Sequence, residues 1–366
     1  MALFLVILVA FAILNTSVER NMKKSEAFNI ESEIKSLESA LIRINNEIKE
    51  SPNNKKLEII KTSYDKNLEI LKSMNIAYTN KQWSNYLKCK IDLDKELLKD
   101  IKKGNTISGK SEEEIKKDIE VNGILLEKNI EPIYDTVSMQ GYNFIKLVLG
   151  SALTLIIIIV AIILSADIIS SEFESNTYKL LFTQPISKNS ILFSKTISIT
   201  IIVNVIIFSM LALLFFILGV KNGFGDLNYP TQFFINGEIG YIEIGRYIGV
   251  GLLSLLTLIT FTCALSIFSS IVCSNTSSSI SIAIIIVVSL YMIINHGFIN
   301  SIAHLIPFTY IDISNVLQGN IAIAFKNSGV NPHNAIMNLC ISAIIILGLS
   351  IFTFERKLEV QNKLKK

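Results

Sequence analysis

Charge is scarce in this chain. Only 18% of its 366 residues are Asp, Glu, Lys or Arg, against about 25% in soluble domains. Half are hydrophobic, and the mean hydropathy is +0.49. An apolar excess gathered into runs indicates a membrane protein. The net charge of +3 is too small to point to nucleic acid. The four cysteines have no CxxC spacing, which excludes a zinc ribbon or a disulfide scaffold. The three histidines, His296, His304 and His333, match no metal-ligand spacing. No Asp, Glu, Lys or Arg falls in the middle of a long apolar run, which argues against a proton relay or an ion-coupled carrier.

The charges that exist are segregated. Residues 18–143 hold 22 basic and 22 acidic residues, leaving 12 and 9 for the other 240 positions. A neutral, highly charged insert thus interrupts a hydrophobic chain. Apolar runs cover 2–14, 144–164, 196–218, about 247–272, 280–295 and about 335–354. A helix needs about 20 residues to cross a hydrocarbon core. Runs two, three, four and six meet that length, and a Ser-rich entry can extend run five. Run one has 13 residues and no basic residues before it. It reads as a first transmembrane helix (1–17, its beginning missing or misassigned), with a signal-peptide core as the alternative.

The fold expected is all-α: six transmembrane helices, with a large helical or coiled-coil extracellular insert between the first two. Orientation follows Lys and Arg in short loops. With the C-terminus inside, eight such residues (179, 188, 195, 356, 357, 363, 365 and 366) are cytoplasmic and four (146, 221, 246 and 326) are outside. Both termini are then cytoplasmic, and the 18–143 insert faces outward.

Within the insert, Ile30, Ile34, Leu37, Leu41, Ile44 and Ile48 form an a/d seam on a helix of about 25–50. Pro52 and its neighbours break it. Leu57, Ile60, Tyr64, Leu68 and Leu71 continue a helical stripe. Further helices are expected at about 81–103 and 111–129, the last opened by a capping box of Ser111 and Glu114. Such stripes make a helical hairpin or small bundle; a receptor surface for a peptide or cell-wall ligand is the other reading.

Residues 104–111 fit GxxxxGK[ST] letter for letter. A phosphate-binding loop needs a buried strand before it. Here the preceding residues are charged and helical, so an interhelical loop explains Gly104, Gly109 and Ser111 better.

The most specific stretch is 165–195. Ile168, Phe173, Tyr178, Leu181 and Phe182 supply apolar positions, and Glu172 and Glu174 a negative edge. Pro185 ends one helix, and Ser187 can cap the next. The result is an amphipathic elbow between spans two and three, on which a soluble partner can push.

This stretch resembles the membrane subunits of ABC transporters of the type-2 permease family. Their pattern there is an acidic residue, Gly-Thr, a Leu pair, Pro-Ile-Ser-Arg/Lys, an apolar pair and a Lys. The matching positions are Glu172 or Glu174, Thr177, Leu180, Leu181, Pro185, Ile186, Ser187, Lys188, Ile191, Leu192 and Lys195. Asn176 stands where Gly is usual, and Asn tolerates the left-handed conformation. The six-span layout agrees, as does the large insert found in some members. The resemblance implies a permease half of an ATP-driven exporter. Its elbow would dock on a cytoplasmic ABC ATPase, and a second permease copy or related permease would complete the pair in the lipid bilayer. The chain would itself be no enzyme and bind no cofactor, ATP and magnesium belonging to the partner. Antimicrobial peptides, lipids or other amphipathic compounds are the cargo implied, with sodium ion as the alternative. A membrane sensor or scaffold that binds a ligand without transport is the rival from another class.

Asn204 in span three, Thr257 and Thr260 in span four and Asn338 in span six are polar groups within apolar runs. They either link helices or line a translocation path.

Overall fold

The computed structural model describes residues 2–50, 54–102, 110–177, 187–235, 237–273 and 275–363. The elements in chain order are helices α1 (Ala2–Glu50), α2 (Lys55–Thr79), α3 (Trp83–Lys102), α4 (Glu112–Glu127), α5 (Gly141–Val148), α6 (Ser151–Ser165), α7 (Ser170–Glu174) and α8 (Lys188–Asn222). Strands β1 (Pro230–Ile235) and β2 (Glu238–Glu243) follow, then α9 (Ile244–Val272) and α10 (Thr276–Asn295). Two 3₁₀ turns, Asn300–Leu305 and Pro307–Ile311, lead to α11 (Ile313–Leu317), α12 (Asn320–Ala324) and α13 (Pro332–Lys363). Among the described residues the fold is helical, with six helices long and apolar enough to cross a membrane. The exception is the β1–β2 hairpin.

The chain divides into two compact units, one of residues 1–12, 139–227 and 231–366, the other of 13–138 and 228–230. The second unit is the charged insert. Its core contains Ile30, Leu41 and Ile44 from α1, Leu71 and Met74 from α2, Leu87 and Ile91 from α3, and Ile115 and Leu125 from α4. Apolar stripes at helical spacing therefore bury against one another. Where separate helices were expected for 1–17 and 25–50, α1 is one helix, because residues 18–24 contain neither Pro nor Gly. At the start of α4 the expected capping box is present. Ser111 Oγ accepts from the Glu114 amide (3.2 Å), and the Ser111 amide donates to the Glu114 carboxylate (2.7 Å). Lys110 pairs with Asp118 at 2.5 Å. The last two residues of the phosphate-loop look-alike are thus engaged locally; residues 103–109 lie outside the described residues.

The apolar unit is built around α9. Of its most apolar window 61% is buried, against 28% for α8 and 22% for each of α10 and α13. Helices α6, α8, α10 and α13 all pack on it. Small residues let backbones approach closely, and Gly251 shows why they are needed. A Cβ there would sit 2.3 Å from Leu149 Cδ1.

The run expected as one span over 144–164 is two helices, α5 and α6, parted at Leu149 and Gly150. The two carbonyls at the break itself are satisfied. Leu149 O accepts from the Ser314 amide (3.0 Å), and Gly150 O accepts from Thr154 Oγ1 (2.8 Å). Ser314 belongs to the run of short helices between α10 and α13, where the sequence indicates short helices or a re-entrant turn. The hairpin is joined to that run, since Gln232 Nε2 donates to Gln318 O at 2.9 Å.

Candidate functional site

The site is the end of the apolar unit where α6 stops, α7 turns and α8 begins. Ile169, Leu192, Ile267, Ile271 and Phe354 form a separate apolar cluster there, with Ile168 and Phe173 packed against it. The apolar side of the elbow is therefore seated on α8, α9 and α13. Its polar residues then tie it to each neighbour.

Glu172, in α7, forms an ion pair with Lys195, in the second turn of α8. Glu174 accepts from both the amide (3.0 Å) and the hydroxyl (2.9 Å) of Thr276, the first residue of α10. The first amides of a helix lack internal partners. Asn275, which precedes Thr276, makes no side-chain cap, so Glu174 supplies one from another helix. Its charge also suits the positive end of the helix dipole. At the far end of α9 the logic is inverted. Lys357 of α13 donates to the carbonyls of Ile271 (2.6 Å) and Cys273 (2.8 Å), where a cation suits the negative end. The same ammonium lies 4.2 Å from the centre of the Phe173 ring, within cation–π range. Asn189 of α8 donates to Glu355 of α13 at 2.6 Å.

A serine cluster lies beneath the elbow. Ser270 Oγ of α9 accepts from the amides of Ile169 (3.1 Å) and Ser170 (2.8 Å). Ser165 and Ser266 share a hydrogen bond. Ser279 of α10 donates to Ala166 O (2.7 Å), and Ser269 donates to Ser279 O (2.8 Å). All six of these serines are buried. The backbone leaving α6 is thereby satisfied by side chains of α9 and α10. None of them is among the polar residues singled out from the apolar runs. The missed signal is Ser266, Ser269 and Ser270 at i, i+3 and i+4, one face of α9.

Of the other coupling candidates, Thr177 is exposed, with its hydroxyl 3.0 Å from that of Ser175. Asn176 has φ +60°, the left-handed conformation that its replacement of Gly requires. Ser187 caps α8, accepting from the Ser190 amide at 3.2 Å, and Lys188 is the first residue of that helix. Leu180, Leu181 and Pro185 lie outside the described residues. The structure thus brings Glu172 and Lys195 together, and joins Glu174 to a helix the sequence did not connect with it.

The four path candidates are not gathered in one place. Thr257 donates to Leu253 O and Ser254 O, and Thr260 to Leu256 O, all in their own helix. Asn338 donates to Leu305 O at 2.8 Å, tying α13 to the first 3₁₀ turn. Asn204 donates to Thr200 O at 2.8 Å. Its Oδ1 is buried without a partner among the described residues.

Against known families, the model described as ABC-2 family transporter protein matches residues 1–357. The chain belongs to the ABC-2 transporter family. It is a membrane permease component of an ABC transporter, and the family associates with ABC ATPases. No curated protein and no solved structure matches the chain.

Proposed function

We propose that this chain is the permease of an exporter driven by a cytoplasmic ABC ATPase, with residues 165–195 as the surface on which the ATPase docks. The observation that carries the reading is the bracing of α7. One five-residue helix is tied to α8 through Glu172, to α10 through Glu174, to α9 through Ser170, and to α13 through Phe173. Displacing α7 must therefore strain contacts with four spanning helices at once. ATP binding could do work only by favouring one of two arrangements of these contacts.

The bias of Lys and Arg places this end of the bundle, and both termini, in the cytoplasm. The charged unit then faces outward from the cell membrane. A second permease, identical or related, would complete the path. Asn204 is the strongest of the four path candidates, since its buried Oδ1 has no hydrogen-bond partner among the described residues. Apolar spans without ionised residues at their centres suit an amphipathic cargo such as a peptide or lipid better than sodium.

The test is purification in mild detergent with mass spectrometry of co-purifying subunits, for the native chain and Leu181→Asp. The native chain is expected to bring an ABC ATPase in stoichiometric amount. Leu181→Asp is expected to lose most of it while still inserting in the membrane. Unchanged ATPase recovery in the variant would remove the docking role. Recovery of a sensor kinase instead would move the reading to a signalling scaffold.

A further inference from the structure

The charged helical unit contains a cavity of about 530 Å³, within the range of small-ligand sites. Its wall is unlike the leucine- and isoleucine-rich seams of the same unit. Trp83, Tyr78 and Tyr86 cluster with ring centres 5.4 to 6.1 Å apart, Trp83 packing edge-to-face on both tyrosines. Tyr134 also lines the cavity. Two carboxylates, Glu26 and Glu131, complete the lining with three lysines.

The phenols are held in place from behind. Tyr86 Oη donates to Glu26 Oε1 at 2.9 Å, and Tyr78 Oη donates to Lys23 O at 3.2 Å. Burial, with the charge of Glu26 added, holds the Tyr86 and Tyr134 hydroxyls above the ordinary phenol range, so both remain protonated. The rings thus offer fixed, neutral π faces around a carboxylate.

Two of the three lysines are already engaged. Lys23 is paired with Glu19 at 2.9 Å, on the same helix. Lys90 lies 5.6 Å from the centre of the Tyr86 ring, already acting as a cation on an aromatic face.

We propose that this cavity binds an organic ammonium or guanidinium cation, held over Trp83, Tyr78 and Tyr86 and neutralised by Glu26. Aromatic faces with an adjacent carboxylate recognise weakly hydrated cations. Lys90 is then an internal competitor that a bound cation displaces from the Tyr86 face. The cation could be a free amine or the basic side chain of a peptide. The site stands independently of ATPase docking, so either can fail alone.

Trp83 is the only tryptophan in the chain, so intrinsic tryptophan fluorescence of the full-length protein in detergent reports on this wall. Choline is titrated against dimethylbutanol, its uncharged isostere. N-acetyl-arginine amide and a Lys-containing tripeptide supply the peptide arm. A saturable change with the cations but not with dimethylbutanol is expected. Glu26→Gln, which keeps the acceptor for Tyr86, should weaken binding about tenfold, the size of a desolvated cation contact. Lys90→Met should tighten it, a direction that general damage to the fold cannot produce. Tighter binding of choline assigns a free amine, and tighter binding of the arginine or lysine probes assigns a peptide. An equal response to dimethylbutanol, no saturation, or unchanged affinity in both variants overturns the proposal.

Discussion

Glu174 caps a helix to which it does not belong. Its carboxylate receives the amide and the hydroxyl of Thr276, 102 positions later in the chain. A pair so distant in sequence joins the elbow to the start of α10 and fixes where that helix begins.

Glu174→Ala and Thr276→Val should each lower the thermal midpoint of the detergent-solubilised protein. The double variant should fall by less than the sum, because both remove the same contact. Full additivity would show that the two residues act separately. The same variants should reduce ATP-dependent transport more than they reduce the amount of protein in the membrane.

Lys357 holds the last carbonyls of α9. Lys357→Met leaves two acceptors without their donor and is expected to cost about 1–2 kcal/mol, charge-assisted bonds being worth more than neutral ones. Partial exposure of the ammonium keeps the figure at the low end. Lys357→Arg should recover part of the loss. A chemical-denaturation midpoint that is the same for all three proteins would show that the carbonyls find other donors.

Ser270 accepts from two backbone amides of the elbow. Ser270→Ala should cost about 1 kcal/mol, near the upper range for hydrogen bonds between spanning helices. Ser270→Leu should cost about 1–3 kcal/mol, through overpacking of a fully buried site. Thermal unfolding of the two variants side by side separates the lost bond from the added volume.

Asp94 gives the charged unit a pH dependence. Its side chain is buried, and Oδ2 has no hydrogen-bond partner among the described residues. Burial raises its pKa above the ordinary carboxylate value, with Lys110 opposing the shift and Asp118 adding to it. Between the unfolded and folded values the native state holds the extra proton. Stability contributed by Asp94 is therefore present below the unfolded value and is lost as pH rises through the folded one. Asp94→Asn should stabilise this unit at neutral pH and remove the loss of stability as pH rises through the folded value. Melting curves across pH 3.5–7, taken as roughly bracketing a raised carboxylate, would show no difference if Asp94 were ordinarily ionised.

Much of the helical fold is legible because its signals are local. Ser111 and Glu114, three positions apart, announce the start of α4, and Ser187 announces α8. The heptad seam from Ile30 onward belongs to a continuous helix for the same reason. The β hairpin also carries a local signal, since Gly237, just before β2, has φ +94°. The break at Gly150 was harder to see, because what satisfies it is Ser314, more than 160 positions away in the chain. At the elbow, Glu172 and Lys195 could be named as individual matches to a pattern. Their pairing, and the reach of Glu174 to Thr276, depend on how spans separated by long stretches come together. No periodicity within one segment contains that information. The polar residues of the spans show the same limit, since a threonine satisfied within its own helix reads like one facing a path.

The most direct test of the coupling role is site-specific photocrosslinking in native membranes. A photoreactive residue is placed singly at Thr177, at Lys188 and, at the opposite end of the apolar unit, at Ile302. The account predicts ATPase adducts from Thr177 and Lys188 whose yield changes when ATP is added, and none from Ile302. Adducts from Ile302 alone, or none from either elbow position in membranes that contain the ATPase, would contradict it.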